Sequence, residues 1–345
     1  MKFTAFAIAL LAAVTGATST SFESNAFDRE HYEVKFVDWM IKHDVQLTGS
    51  EFVERLKIFA DAEDHINDHN RSGKSWKMAH NKFSHLTKEE FREAAGLGVN
   101  VPKHVESRTG MNPVHTPKGL RGTKTKLESS VDWVSKGAVT GVKDQGSCGS
   151  CWSFSTTGAL EGAYYNKHGD LTSFSEQMLV DCDTYDSGCN GGLMDYAFQW
   201  IQENGGLCKE DDYSYTSGTG TSGTCKSSSC DVVDGSAPTK WTDVDQSDAA
   251  MMEALNIGPV SIAIEADESN FQYYSSGVLT ASCGTNLDHG VLAVGYGTMD
   301  GTDYYRVKNS WGTSWGDEGY IYLERGSSQT GGQCGMLMAA SYPSL

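Results

Sequence analysis

The sequence predicts an α+β fold of two lobes, a helical one and a sheet one, preceded by a separate helical segment. Three observations predict it. Past residue 150, helix-length apolar runs come first and β-rich runs later. All nine cysteines lie between Cys148 and Cys334. Charge divides at the same place: residues 1–126 hold 18 basic against 16 acidic side chains, whereas residues 127–345 hold 9 against 29, so the parts carry +2 and −20. Eight of the ten histidines fall in the first part.

Taken in order, Phe3 to Val14 is an apolar run that follows Lys2 and gives way to Thr15-Gly16-Ala17. About 12 residues are too few to cross the ~30 Å hydrocarbon core of a membrane, and the pattern reads as a secretory signal peptide spanning 1–17. Phe27–Met40 and Glu51–Asn70 place apolar residues at helical spacing (Phe52, Leu56, Phe59, Ile66) with no Gly or Pro inside, which predicts two helices. Asn100–Lys126 contains Pro102, Pro113 and Pro117 without apolar periodicity and reads as an exposed, cleavable linker. In the second part, helices are expected at Cys151–Tyr165, Ser175–Val180 and Leu193–Glu203, and strands at Val260–Ile264, Val291–Tyr296, Tyr304–Lys308 and Tyr320–Leu323. Ser217–Thr224 and Gly326–Gly332 read as loops. The net charge of −18, with no basic block, disfavours nucleic-acid binding.

A secreted chain folds where disulfides persist, and nine cysteines leave one over. The densest loop is Asp144-Gln145-Gly146-Ser147-Cys148-Gly149-Ser150-Cys151-Trp152. A Cys-x-x-Cys redox pair would end a strand, but Gly141, Lys143, Asp144 and Gly146 are poor strand formers. A zinc site would need a second ligand pair, and no further Cys-x-x-Cys or His-x-x-His follows. The reading that survives best puts one cysteine in a bridge and the other at a helix start near Cys151, where unpaired N–H groups stabilise a thiolate. Such a nucleophile needs a base, and the second part offers His168 and His289. His168 lies in a turn-like Asn166-Lys167-His168-Gly169-Asp170, whereas His289 leads into an apolar strand that would hold its ring. Asn309 ends the next strand and could orient that ring.

These residues together resemble the papain-like cysteine proteases, and within them the cathepsin L-like branch. Cys148 to Trp152 fit the family's Cys-Gly-Ser/Ala-Cys-Trp/Tyr signature, with His289 following Cys151 by 138 residues and Asn309 by 158. An insertion around Thr298–Thr302 accounts for the longer second spacing. Val131-Asp132-Trp133 resembles a mature N-terminus, and Gly188-Cys189-Asn190-Gly191-Gly192 and Asn309-Ser310-Trp311-Gly312 with Trp315-Gly316 resemble further blocks of the family. Glu51, Arg55, Ile58, Phe59, Ile66 and Asn70 are similar to the interspersed helical motif of cathepsin L-type prosegments, with Ala62 where that motif has Asn.

The resemblance implies that the sheet lobe is β-barrel-like and that the chain is a zymogen: a signal peptide (1–17), an inhibitory prosegment (18–126) and a peptidase domain (127–345). It implies a monomer without cofactor or metal, acting on peptides and proteins, restrained by its own prosegment, and routed through the secretory pathway to a lysosome or vacuole or to the outside. Cys151 would be the nucleophile, His289 its imidazolium partner and later the acid, Asn309 the group that orients His289, and Gln145 a donor to the oxyanion. Trp311 would cover the His289–Asn309 bond. Gly149, Gly191, Gly192, Leu193, Met194, Ala263, Leu287, Asp288, Gly290, Trp311 and Ala339 would contact substrate. The implied bridges are Cys148–Cys189, Cys182–Cys225 and Cys283–Cys334, which leaves Cys208 and Cys230 to each other. A non-catalytic peptide-binding homologue, or a transpeptidase or ligase on the same fold, stays open.

Two expectations about behaviour complete the reading. The pocket residues Leu193, Met194, Ala263, Leu287, Gly290 and Ala339 carry no charge. They should accept Phe, Leu or Val two residues before the cleaved bond, each buried apolar side chain being worth ~1.5–3 kcal/mol. The histidine-rich first part should be released by acid. Asn81-Lys82-Phe83-Ser84-His85 resembles a prosegment motif that usually has Asp at the position of His85 and Gly at that of Ala79, so histidine could replace the usual trigger at a higher pH.

Overall fold

A computed structural model of the chain describes residues 25–97, 114–115 and 127–345. The expected signal peptide and most of the expected linker lie outside the described residues. Helix α1 (Arg29–Lys42) and helix α2 (Gly49–Arg71) form where the apolar spacing puts them, within two residues at each end. Their facing stripes, Tyr32, Phe36 and Trp39 against Phe52, Leu56 and Phe59, enclose a small core of their own. The Asp28 side chain caps α1 by accepting from the His31 backbone N–H at 3.0 Å. A third helix, α3 (Lys88–Ala94), carries too little apolar periodicity to be read from its seven residues. Its signal is the capping box Thr87-x-x-Glu90, and Glu90 is clamped by Arg55 of α2, whose Nη2 lies 2.7 Å from Oε1.

The second part builds its helical lobe from α4 (Cys151–His168), α5 (Glu176–Cys182) and α6 (Met194–Asn204). Helix α4 runs three residues beyond expectation and is closed by Gly169 at φ 75°. His168 is therefore the last residue of a helix, stacked on Tyr164 at 4.2 Å, and does not lie in a turn.

The strands are β1 (Lys77–Met78), β2 (Val114–His115), β3 (Val131–Asp132), β4 (Lys240–Val244), β5 (Val260–Ile264) and β6 (Tyr274–Ser276). They continue as β7 (Val278–Leu279), β8 (His289–Met299), β9 (Thr302–Lys308), β10 (Tyr320–Glu324) and β11 (Ala340–Ser344). Nine of them form one sheet in the order β2-β4-β11-β5-β8-β9-β10-β7, with β3 pairing β8. Helices α7 (Asp248–Leu255) and α8 (Ser269–Gln272) interleave with these strands, which corrects the expectation that helices end before strands begin. The residues read as an insertion form the β8–β9 hairpin, which turns at Asp300-Gly301 with both φ values positive.

The first part is tied to this sheet system at two places. Strand β1 pairs antiparallel with β6. Strand β2, inside the stretch expected to be an exposed, cleavable linker, pairs parallel with β4 at Asp243 and Val244. The core accordingly runs across the two parts, with Ala62, Ile66, Trp76, Phe83 and Phe91 in the same apolar cluster as Phe271, Tyr274, Trp311 and Trp315. Ala62, buried there, packs where a polar residue would need a partner.

All four expected bridges are present, including Cys208–Cys230, and Cys151 is the cysteine outside them among the described residues. The Cys208–Cys230 bridge closes a 22-residue interval, for which the chain-entropy account gives about 3 kcal/mol. The double variant Cys208→Ser/Cys230→Ser should therefore lower the Tm of the full-length protein by several degrees in a calorimetric scan. An unchanged Tm would show that the loop is held by other contacts.

Candidate active site

Cys151 is the first residue of α4 and is fully buried. Its helix is placed by close approach to two strands: Ser155 Oγ donates to the Val291 carbonyl at 2.7 Å, and Ser261 Oγ donates to the Ser155 carbonyl at 2.8 Å. Gly290 faces the helix start, where a methyl group would lie 3.3 Å from the Cys151 carbonyl carbon and oxygen. His289 precedes Gly290 and opens β8, so the strand that meets the start of the helix carries the imidazole at its first position.

His289 is fully buried, and its Nε2 donates to Asn309 Oδ1 at 2.7 Å. The proton on Nε2 leaves Nδ1 with its lone pair. Asn309 Oδ1 also accepts the Ser310 backbone N–H at 2.7 Å, which fixes the amide. The Trp311 ring stacks on the imidazole, centroids 4.7 Å apart and 23° between planes, and shields the bond from water. Burial lowers the imidazole to about 4, against the opposing effect of the Asn309 bond, so His289 is neutral in this covered state.

Gln145 completes the group. Ser310 Oγ donates to its Oε1 at 2.6 Å, which turns Nε2 outward to donate to the carbonyls of Cys148 (2.9 Å) and Gly96 (3.2 Å). The second acceptor belongs to the first part of the chain. A peptide carbonyl thus sits on the side-chain amide expected to hold an oxyanion.

Met194, Ala263, Leu287 and Ala339 meet in one apolar cluster with Trp152 and Leu292, while Leu193 packs on Cys151. Gly149 is required by backbone proximity, since a Cβ there would lie 2.5 Å from the Cys189 carbonyl. Gly191 at φ 106° and Gly192, tight against Asp186 and the Trp152 ring, shape the same wall. Asp288 turns away from this pocket: its Oδ1 accepts the Ala266 N–H at 2.8 Å and its Oδ2 lies 3.6 Å from Arg92. Burial, aided by the charge of Asp267, pushes Asp288 up to about 7.

The contacts made by the first part over this site were not legible in advance. Phe83 and Phe91 stand edge-on to Trp311 at 5.5 and 5.6 Å, and Trp311 Nε1 donates to the Ala95 carbonyl at 3.0 Å. Asn81 Nδ2 donates to the Gln272 carbonyl at 2.7 Å, Gln272 Nε2 returns a bond to the Phe83 carbonyl, and Lys82 pairs with Asp144 at 2.6 Å. Behind the site lies an unanticipated buried charge group. Lys143 reaches Glu176 at 2.6 Å and Glu161 at 3.4 Å, while Lys308, next to Asn309, donates to Thr140 Oγ1 at 3.0 Å and is pulled down to about 8, chiefly by burial.

Comparison with known proteins places the chain in a family. Residues 127–344 match the papain family cysteine protease domain, and residues 36–91 match the cathepsin propeptide inhibitor domain. The chain is 44% identical over 351 residues to vignain of Ricinus communis, covering 97% of this chain and 93% of vignain. It is 44% identical over 320 residues to a KDEL-tailed cysteine endopeptidase of Arabidopsis thaliana, covering 88% of this chain and 84% of that protein. Among solved structures, the proform of a ragweed pollen cysteine protease, Amb a 11, superposes with a TM-score of 0.82 at 35% identity over 92% of this chain and 96% of that one.

Gly96 has φ 59°, and a Cβ there would lie 2.3 Å from the Cys148 carbonyl oxygen and 2.6 Å from Gln145 Nε2. Gly96→Ala should therefore lift this stretch of chain off the site. Iodoacetamide should alkylate Cys151 at least about tenfold faster in the full-length variant, a shift of ~1.4 kcal/mol in the opening equilibrium. Equal rates would mean that Gly96 does not gate access.

Proposed function

Since the chain belongs to the papain family of cysteine proteases and carries a cathepsin propeptide inhibitor domain ahead of its peptidase domain, we propose that Cys151, His289, Asn309 and Gln145 are its catalytic residues. The protein is a cysteine endopeptidase made with its own inhibitor. Once residues up to about 126 are removed, the Cys151 proton passes to His289 Nδ1 and the thiolate attacks the substrate carbonyl carbon. The resulting oxyanion takes hydrogen bonds from Gln145 Nε2 and the Cys151 backbone N–H. The C–N bond then breaks, His289 returns the proton to the leaving amine, and water hydrolyses the thioester with His289 as base.

The observation that carries this reading is the Gly96 carbonyl on Gln145 Nε2, which fits a donor aimed at a peptide carbonyl and blocked by the prosegment. The uncharged wall of Met194, Ala263, Leu287 and Ala339 supports a preference for Phe, Leu or Val two residues before the cleaved bond. The apolar N-terminal run supports entry into the secretory pathway, with a lysosome, a vacuole or the exterior as destination. No helix among the described residues is long and apolar enough to cross a membrane.

Activated enzyme should hydrolyse a fluorogenic Phe-Arg amide. Cys151→Ala should abolish turnover, and Gln145→Ala should lower kcat/KM by about 10²-fold, the ~3 kcal/mol cost of one oxyanion donor, with KM little changed. Activity that survives Cys151→Ala, or a Gln145→Ala effect confined to KM, would overturn the assignment.

Acid release of the prosegment draws on its histidines. Burial lowers His43, His65 and His69, and it lowers His85 to about 4, where the Arg55 charge adds to the effect and Glu90 opposes it. His85 also packs on Trp39 at 4.7 Å and lies near His43. A folded-state value below the unfolded ~6.5 means that the fold binds fewer protons, so stability present above pH 6.5 is lost as pH falls towards 4. His104 lies outside the described residues, and His115 is described as backbone. Self-processing of the zymogen should accelerate between pH 6.5 and 4, and His85→Asp should move that window. An identical pH dependence in both proteins, or faster processing at neutral pH, would refute the histidine switch.

A further inference from the structure

Helix α3 places two cations on one acidic cluster of the peptidase domain. Arg92 ion-pairs with Asp267 and lies 3.6 Å from Asp288 Oδ2, while Lys88 Nζ lies 2.7 Å from Glu268 Oε1 and 3.6 Å from Asp267 Oδ1. Oxygens of Glu265, Asp267 and Glu268 lie within 4.8 Å of one another. Beneath the prosegment Asp267 and Asp288 are only 6% and 4% exposed, so the two cations sit in a lined recess. Four carboxylates this close repel one another unless one takes up a proton or a cation sits among them, and in the zymogen the prosegment supplies the cation. Processing removes both cations and leaves the carboxylates, which belong to the peptidase domain.

The position of the recess relative to the reacting atoms follows from the prosegment itself. The Gly96 carbonyl lies on Gln145, the Ala95 carbonyl on Trp311 Nε1, Phe91 on the Trp311 ring, and Arg92 in the recess. A chain leaving the oxyanion donor thus crosses Trp311 and reaches Asp288, the neighbour of His289, whereas Leu193, which packs on Cys151, and Met194 of the apolar pocket sit at the start of α6. If the acyl part of a substrate fills that pocket, the amine part released by His289 passes over Trp311. We propose that Asp267, with Glu268 and Asp288, binds a basic side chain on the residue immediately following the cleaved bond, in the place Arg92 holds in the zymogen. The proposal rests on the catalytic reading of Cys151 and His289 given above.

The test uses full-length protein after self-processing and internally quenched peptides with Phe two residues before the bond and Arg, Lys, Ala or Glu directly after it. Arg and Lys should give kcat/KM about five- to tenfold above Ala, and Glu should fall below Ala. The Arg-to-Ala ratio should fall towards one in Asp267→Asn/Glu268→Gln. Should that variant fail to process, the same ratio in the unaltered enzyme should shrink as KCl is raised from 0.05 to 0.5 M, because a charge pair at a solvent-accessible recess is screened. Cleavage of all four peptides at equal rates, or a ratio indifferent to salt, would overturn the proposal. No cleavage of any peptide would instead sink the catalytic reading.

Discussion

The close packing of helix α4 on strands β5 and β8 is the constraint on which the rest of the molecule depends. Residues 151–162 are all buried, so the helix has no solvent face over its first three turns. Its distance from the sheet is set by small residues: a methyl group on Gly158 would reach 2.7 Å from Leu292, and one on Gly162 would reach 2.5 Å from the Pro259 ring. Ser155 and Ser261 bridge the same seam through backbone carbonyls. One end of the helix carries Cys151 and the strand it touches begins with His289, so the seam sets the helix start against the strand start as a by-product of packing.

That seam also explains the ionised groups within it. Lys143 bridges Glu161 and Glu176, and the burial that would favour its neutral form is outweighed by those two charges. Lys308 lacks so near a carboxylate and shifts the other way. Buried ion pairs contribute little net stability, but separating one partner from the other is costly. The pairs of Lys143 therefore tie α4 to α5, Lys308 of β9 reaches the same group through Thr140, which donates to Glu161, and Asn309 and Ser310, which hold His289 and Gln145, line the same cavity.

Much of this was legible in the sequence, for reasons that differ by element. The helices α1 and α2 and the strand β5 announce themselves because their apolar residues keep one period and end at polar or turn residues. Cys151, His289 and Asn309 were legible through the motifs around them, and cysteine counting alone shows that one thiol is left over. Helix α3 was missed because its seven residues hold a single large apolar side chain, Phe91; only Thr87 and Glu90 mark it. Strand β2 was missed because two residues have no period. The pairing of Lys82 with Asp144, or Arg92 with Asp267, joins positions 62 and 175 residues apart. No local pattern encodes such contacts, since each partner alone is an ordinary surface charge.

The cover over the site has a chemical consequence apart from inhibition. Oxidation of a cysteine begins with the thiolate and requires contact with a small oxidant. In the covered molecule Cys151 has no exposed surface for such an oxidant to reach. Peroxide that meets this protein before cleavage meets disulfides and a sheltered sulfur. The described residues of the first part thus act as packaging for a perishable group, and the shelf life of the thiol is set by the opening rate of its wrapper.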